Sequence, residues 1–328
     1  MKAVIITEPG GPEVLAVREV ADPELAPSEV LIQVYATALN RADLAQRRGH
    51  YPPPPGAPPY PGLECAGRIV AVGSGVTEWK TGHRVMALLG GGGYAEQVSV
   101  PQETVMPIPE GLSWAEAAAI PEAWLTAYSN MIEIGGLQAG ERVLIHAGAS
   151  GVGSAAIQLA RWWGATVFST VSGGKVERVR ELGADVIVDY ESENFADRIE
   201  EETDGEGVNL IIDFIGAPYW DDNMRALALW GRMVLVGLLG GRQTNVNLGL
   251  FLSKKLSVHG STLRDRTLKQ KGRLVSAFTH EVLPAFTEGE LHSVVDSRQF
   301  SLSEIAEAHR YMEANQNIGK IIVQVADS

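Results

Sequence analysis

The sequence predicts an α/β protein of two domains, one a doubly wound parallel sheet and the other β-rich. Three observations carry this prediction. The chain has 328 residues, 45% of them hydrophobic, which is enough for two cores rather than one. Short β runs separated by glycine and proline fill its first third. Beyond residue 140, apolar strands alternate with amphipathic helices, the pattern that a parallel sheet covered on both faces requires.

In order, the β runs are "KAVIIT", "LAVREV", "EVLIQVYA", "AGRIVAVG", "RVMALL" and "AEQVSV". The clusters between them, "EPGGPE", "YPPPPGAPPYPG" and "LLGGGGYAE", read as turns and loop tips. One short helix, "NRADLAQRRG", interrupts the strands, and "SWAEAAAIPEAWLTAYSNMIEIGG" turns helical. The alternation then runs "RVLIHAG", "SAAIQLARWWG", "ATVFSTV", "KVERVRELG", "DVIVDY", "FADRIEEET", "VNLIIDFIG", "YWDDNMRALA", "GRMVLVGL", "LSVHGST". Two helical stretches follow, "LVSAFTHEVLPAFTEG" and "SLSEIAEAHRYMEANQ", and then a last strand, "KIIVQV". With no partner sheet nearby, that strand is expected to return to the first domain. The expected division is therefore 1–122 with 265–328, and 123–264.

A formal charge of −13 argues against a general binder of nucleic-acid backbones, which needs a surplus of Lys and Arg. No run of about 18 apolar residues marks a membrane span, and the start lacks the pattern of a secretion signal, so a cytoplasmic location is expected. The one cysteine, Cys65, excludes an intrachain disulfide and a cysteine metal cluster, and it reads as a small core residue. His83 and His146 stand alone at strand ends and read as structural histidines.

The stretch "HAGASGVGSAAIQLA" follows a strand and opens a helix, the context in which a glycine turn binds a dinucleotide. Gly148 and Gly153 take the first and last glycine positions, with Ser150, Gly151 and Val152 between them. The Ser150 hydroxyl is small and suited to donate to a phosphate oxygen at the helix N-terminus. An NAD enzyme commonly carries an acid at the end of the next strand. This chain instead has Ser172, Gly173, Gly174 and Lys175 there, a hydroxyl and an ammonium suited to a 2′-phosphate. NADPH is the expected cofactor. Lys175 has the alternative of a solvated lysine, and Tyr190 is read either as part of the adenine–ribose side or as a sheet-edge tyrosine.

Together with this order of domains, the stretches "TALNRADLAQRRGHYPPPPGAPPYPGLE", "AAAIPEAWLTAY", "VLIHAGASGVGSAAIQLAR" and "YMEANQNIGKIIVQV" resemble the zinc-independent quinone oxidoreductases of the medium-chain dehydrogenase/reductase superfamily, in particular their tumour-suppressor-inducible branch. The resemblance spans the whole chain. It implies a Rossmann domain plus a β-rich GroES-like catalytic domain. Where the superfamily's zinc alcohol dehydrogenases carry cysteine and histidine ligands, this chain has Asn40, Arg41, Ala42 and Asp43, then Gly62, Leu63 and Glu64, so no zinc is expected. The resemblance places Asn40 and Tyr51 at the nicotinamide and substrate and Thr126 at the nicotinamide end. It assigns cofactor contact to Ile215, Gly216, Gly237, Leu238, Leu239, Thr262, Leu263 and Lys320. Three of these keep bland alternatives: Asn40 as a helix cap, Tyr51 as part of a surface proline loop, and Lys320 as a solvated strand lysine.

Without a Lewis acid, a conjugated acceptor that delocalises added charge is the natural substrate. An NADPH-dependent reductase of ortho- or para-quinones is expected, its proton coming from solvent or through Tyr51. Reduction of an enal or enone double bond is the sister reading, and a non-enzymatic NADPH-binding protein is the rival. Relatives pair sheet edges such as "LSVHGS", so a homodimer is expected.

Overall fold

A computed structural model describes residues 1–326. The chain forms two compact units, one of Met1–Leu125 together with the segment from Leu263 onward, the other of Thr126–Thr262. Among the described residues, no helix is long and apolar enough to cross a membrane.

The first unit is built on a seven-stranded sheet. Its order is Phe300–Ser301, Ile322–Gln324, Glu29–Ala38, Glu64–Val72, Arg84–Leu88 and Val105–Pro107, and Gln97–Pro101 pairs with Glu29–Ala38 away from this path. Glu29–Ala38 alternates half-buried and buried residues for most of its length, the period of a strand with one face on the core. Val30, Ile32 and Val34 from that face meet Cys65, Ile69 and Val85. The late strand pairs antiparallel to the early one, Ile322 opposite Ala38 and Gln324 opposite Ala36. That return places Lys320 beside the loop that leaves Ala38. A separate hairpin joins Lys2–Ile6 to Leu15–Glu19.

The second unit is a six-stranded parallel sheet in the order Val186–Asp189, Thr166–Val171, Arg142–Ile145, Val208–Asp213, Leu227–Leu235, Ser257–Gly260. Its strands are short and nearly all apolar because helices cover both faces. Leu144, Phe168, Ile211 and Met233 pack with Phe195, Ile199 and Met224 from the helices. Caps fix where those helices begin: Asn194 Oδ1 accepts the Ala196 and Asp197 N–H groups at 2.8 and 3.1 Å.

Three elements differ from the sequence pattern, and two short strands, Val105–Pro107 and Phe300–Ser301, are additional to it. The pattern continues a helix through residue 228, but the chain turns extended at Leu227, which pairs with Val208. Ala and Leu favour a helix there, and the tertiary pairing overrides that propensity. The pattern assigns nothing to residues 248–254, where a helix forms, capped by Asn247 and ended by Lys255 in the left-handed region at φ 56°. The predicted helix over 113–136 is also divided. It comprises Trp114–Ala118, Pro121–Tyr128 and a wider-wound turn at Ser129–Ile134, with Pro121 starting the second piece.

Candidate active site

In the second unit, the strand Arg142–Ile145 runs through a tight turn into the helix Gly151–Trp162. The left-handed residue of the turn is Ala147, at φ 52°, not Gly148. Gly148 is required for space instead, since a Cβ there would lie 2.1 Å from Ser169 Oγ. A Cβ on Gly153 would lie 2.3 Å from the Ala147 carbonyl oxygen, so the helix approaches the strand as closely as the fingerprint demands. Ser150 is the N-cap, and its Oγ accepts the Gly153 N–H at 3.0 Å. Its own hydroxyl proton and the first-turn N–H groups of Gly151 and Val152 remain to face an anion at a helix N-terminus. This cradle fits the phosphates of a dinucleotide.

Ser172 precedes a single turn, Gly173–Lys175, and its carbonyl accepts the Lys175 N–H at 2.9 Å. The neighbouring strand adds what the linear reading missed. Asp189 lies opposite Val171, and a Cβ on Gly173 would fall 2.5 Å from Asp189 Oδ2. Glu191 Oε2 accepts the Gly173 N–H at 3.3 Å. Strand pairing, not sequence spacing, brings these acids to the turn. Tyr190, between them, is 47% exposed.

The remaining strand ends are tied by a buried network. Asp213 Oδ1 accepts the Ile215 N–H at 2.6 Å, both Asp213 oxygens accept the Gly216 N–H at 3.2 Å, and Asn223 Nδ2 donates to Oδ2 at 3.1 Å. Asn223 Oδ1 lies 2.7 Å from His146 Nε2, and His146 Nδ1 lies 2.9 Å from Thr170 Oγ1. With both ring nitrogens engaged, His146 is a structural residue, and burial lowers its pKa. Gly216 sits at φ 84°. Gly237 is half-buried, while Leu238, Leu239 and Thr262 are exposed. Thr126 is buried, its carbonyl accepting Asn130 Nδ2 at 2.7 Å.

The first unit gathers the other residues. Asn40 stands at the N-cap of the helix Arg41–Arg47, in a capping box with Asp43, and the hydrogen bonds of its side chain run to residues outside the helix. Its Nδ2 donates to Glu64 Oε1 at 2.8 Å, and its Oδ1 accepts from Lys320 Nζ at 2.7 Å. Asp43 Oδ2 takes the Asn40 N–H at 2.8 Å. Lys320 is 4% exposed, so the solvated-lysine alternative fails. Its ammonium also donates to the Leu39 carbonyl at 2.9 Å and meets Glu64 Oε1 at 2.6 Å. Glu64 Oε2 accepts the Glu122 N–H at 2.8 Å. Asp43 accepts from Tyr94 Oη at 2.9 Å and the Gly62 N–H at 3.1 Å, and burial still pushes its carboxyl up to about 6. Glu122, half-buried beside these groups, is pushed up to about 8, first by burial and then by the Glu64 charge.

Tyr51 is half-buried, with the Arg264 guanidinium 5.0 Å from its ring centre. Arg264, 3% exposed, donates to the carbonyls of Tyr51 and Gly90 and to Gln46 Oε1, while Lys271 Nζ donates to the Arg264 carbonyl. Burial, aided by Asp265 and Glu122, pushes the Tyr51 phenol up to about 12, so it stays neutral. Leu263, next to Arg264, is buried. Arg264, Lys271 and Glu122 escaped the sequence reading, since a lone charge on a helix or loop is usually a solvated one.

Comparison with known proteins gives the family. A zinc-binding dehydrogenase model matches residues 151–277, and an alcohol dehydrogenase GroES-like domain model matches residues 26–110. The quinone oxidoreductase of Pseudomonas aeruginosa is 34% identical, over 96% of each chain. The chain belongs to the medium-chain dehydrogenase/reductase superfamily. The quinone oxidoreductase-like protein 2 homolog of Nematostella vectensis is 32% identical, over 98% of this chain and 88% of its own. Among solved structures, an NAD-dependent alcohol dehydrogenase superposes at TM-score 0.88 with 33% identity, covering 99% of this chain and all of its own. The CurK enoyl reductase superposes at TM-score 0.88 with 29% identity over 99% of each chain. Mycobacterial Rv1454c complexed with NADPH does so at the same score and identity, covering 99% of this chain and 100% of its own. The quinone oxidoreductase-like members fit this chain as its branch of the superfamily.

The medium-chain dehydrogenase/reductase assignment makes the protein an oxidoreductase that binds a pyridine nucleotide, which the Gly148–Gly153 cradle fits. A zinc ion fits less well. Among the described residues, no three His, Cys, Asp or Glu side chains gather to hold a metal. At the positions matching the cysteine and histidine ligands stand Asn40, whose side-chain oxygen is already spent on the Lys320 ammonium, and Leu63, which has no donor atom; Glu64, beside Leu63, is also paired with Lys320, and burial raises the pKa of the Cys65 thiol nearby in sequence, which keeps it protonated.

Replacing Lys320 with Met leaves the Glu64 carboxylate buried and uncompensated. Urea denaturation is expected to show a loss of about 3–5 kcal/mol, and Glu64→Gln in the same chain should recover part of it.

Proposed function

We propose that this protein is an NADPH-dependent quinone reductase that works without zinc. The observation that carries the reading is the buried ammonium of Lys320 bonded to Asn40 and Glu64, which gives the site an internal cation where a metal enzyme would present ligands. When bound, NADPH supplies a hydride. The Gly148–Gly153 turn would hold its phosphates, Ser172 and Lys175 its 2′-phosphate, and the strand ends at Ile215, Gly216 and Gly237 to Leu239, with Thr126, Thr262 and Leu263, its nicotinamide half. Asn40 and Tyr51 would orient the acceptor, Asn40 held rigid by two charged partners and Tyr51 by the Arg264 guanidinium against its ring. A flat conjugated acceptor needs little more than such positioning.

The preference for NADPH rests on Lys175 against Glu191. Glu191 is exposed and holds the Gly173 N–H at a long 3.3 Å, so it can yield to a phosphate at little cost. Lys175→Ala is expected to raise the KM for NADPH by about tenfold, the worth of one charge-assisted hydrogen bond, with little change for NADH. Glu191→Gln should lower the KM for NADPH. Equal effects on both dinucleotides in steady-state assays would remove the assignment.

The enoyl reductase neighbour, at the same TM-score as the others, favours a second reading, reduction of an enal or enone double bond. Dinucleotide oxidation followed with 1,2-naphthoquinone, benzoquinone and a 2-enal, with and without a chelator, separates the two. Quinone turnover insensitive to chelator is the expected result. Turnover of the enal alone selects the second reading, and binding of NADPH without turnover of any acceptor leaves a nucleotide-binding protein.

A homodimer is part of the proposal. Ser257–Gly260 is the edge of the parallel sheet, and nearby segments of the same unit expose Leu229, Trp230, Val246, Leu248 and Leu252, the last at 82%. A second copy seated there would cover them. Leu252→Arg should shift the protein to monomer in light scattering without loss of fold by circular dichroism.

A further inference from the structure

We propose that Glu122 holds and delivers the proton that the reduced acceptor must gain. This deepens the reductase reading and rests on it. Three carboxyl groups of the first unit, Asp43, Glu64 and Glu122, act on one another through their charges, and their bonding separates them. Asp43 accepts from Asn40, Tyr94 and Gly62, and Glu64 accepts from Asn40, Lys320 and Glu122. The Glu122 carboxyl has no hydrogen-bond partner among the described residues, although its backbone N–H is tied to Glu64. It is also half-buried where Asp43 and Glu64 are sealed.

The groups that act on Glu122 come from five other segments of the unit. Glu64 and Asp43 bring negative charge; Lys320, Lys271 and Arg264 bring positive charge; Tyr51, the residue proposed to face the acceptor, interacts with it electrostatically. Both lysines hydrogen-bond elsewhere, Lys320 to Glu64 and Lys271 to the Arg264 carbonyl, and reach Glu122 only through their charge. Two carboxylates, Glu64 and Glu122, therefore share a cluster in which one of them is fully paired, and the unpaired one keeps its proton. A proton donor works best with a pKa near the working pH. Glu122 at about 8 meets that condition, and Tyr51 at about 12 does not.

In the step, the Glu122 O–H bond breaks as an O–H bond forms on the acceptor's carbonyl oxygen. Glu122 is left as a carboxylate and regains its proton from water. The electrons are those of the reduced dinucleotide, which is oxidised, and quinone plus one hydride and one proton gives hydroquinone.

The test is the pH dependence of kcat with a quinone, measured for the unsubstituted protein, Glu122→Gln, Glu122→Asp and Lys271→Met. The protonated form is the active one, so kcat should be full at low pH and fall as pH rises through about 8. Glu122→Gln should lower kcat by roughly a hundredfold, leave the KM for NADPH nearly unchanged, and abolish the falling limb. Glu122→Asp should restore part of the rate, and Lys271→Met, which removes a cation, should move the limb to higher pH. A readout independent of turnover is the infrared carboxylic-acid band of the protein without dinucleotide. A band titrating near the same pH should be present in the unsubstituted protein and absent from Glu122→Gln. Persistence of the falling limb in Glu122→Gln, or no such titrating carboxyl, overturns the proposal while leaving the reductase reading intact. No turnover of any acceptor by the unsubstituted protein sinks that reading, and the donor role with it.

Discussion

The first unit depends on one buried ion pair. Lys320 and Glu64 are both cut off from water, and such a pair is stable only when the remaining hydrogen-bonding capacity of each is satisfied. Here it is. The ammonium has three oxygen partners, from Leu39, Asn40 and Glu64, and the carboxylate has Asn40 and the Glu122 N–H besides the lysine. The pair locks the late strand to the early one and holds the start of the Arg41–Arg47 helix. It also fixes the amide of Asn40 in one orientation, since its oxygen must face the lysine and its nitrogen the glutamate. A specific geometry is what an expensive buried charge returns.

The second unit depends on closeness rather than charge. Its glycine turn has no room for a Cβ at positions 148 and 153, and the His146–Asn223–Asp213 network keeps the strand ends at a fixed spacing. The helix N-terminus therefore presents its N–H groups on a rigid base, a condition for binding phosphates without reordering the protein.

Much of this was legible in the sequence because it is local. Period and punctuation gave every strand of the parallel sheet and all but Val105–Pro107 and Phe300–Ser301 of the seven-stranded one, and the glycine turn announced its own context between a strand and a helix. What escaped is pairwise. The helix at 248–254 buries none of its residues fully and leaves Leu248 and Leu252 exposed, so no periodic apolar face marks it. Asn40 has the right identity and position for a cap, and its further bonds to Glu64 and Lys320 come from residues distant in sequence. Asp189 and Glu191 reach the Ser172–Lys175 turn through strand register, and Glu122 acquires its altered acidity from residues on other elements. Sequence spacing along one strand contains none of these relations.

The order in which the chain is synthesised gives the ion pair another meaning. Thr126–Thr262 is continuous, so that unit can close while the ribosome is still at work. The first unit cannot, because Lys320 follows its partner Leu39 by 281 residues. Until the last stretch of chain emerges, Glu64 has no counter-ion and the early strands lack their edge partner. A nascent or shortened chain thus carries a finished second unit and an unfinished first one, and the two units mature in the reverse of the order in which their first residues are made.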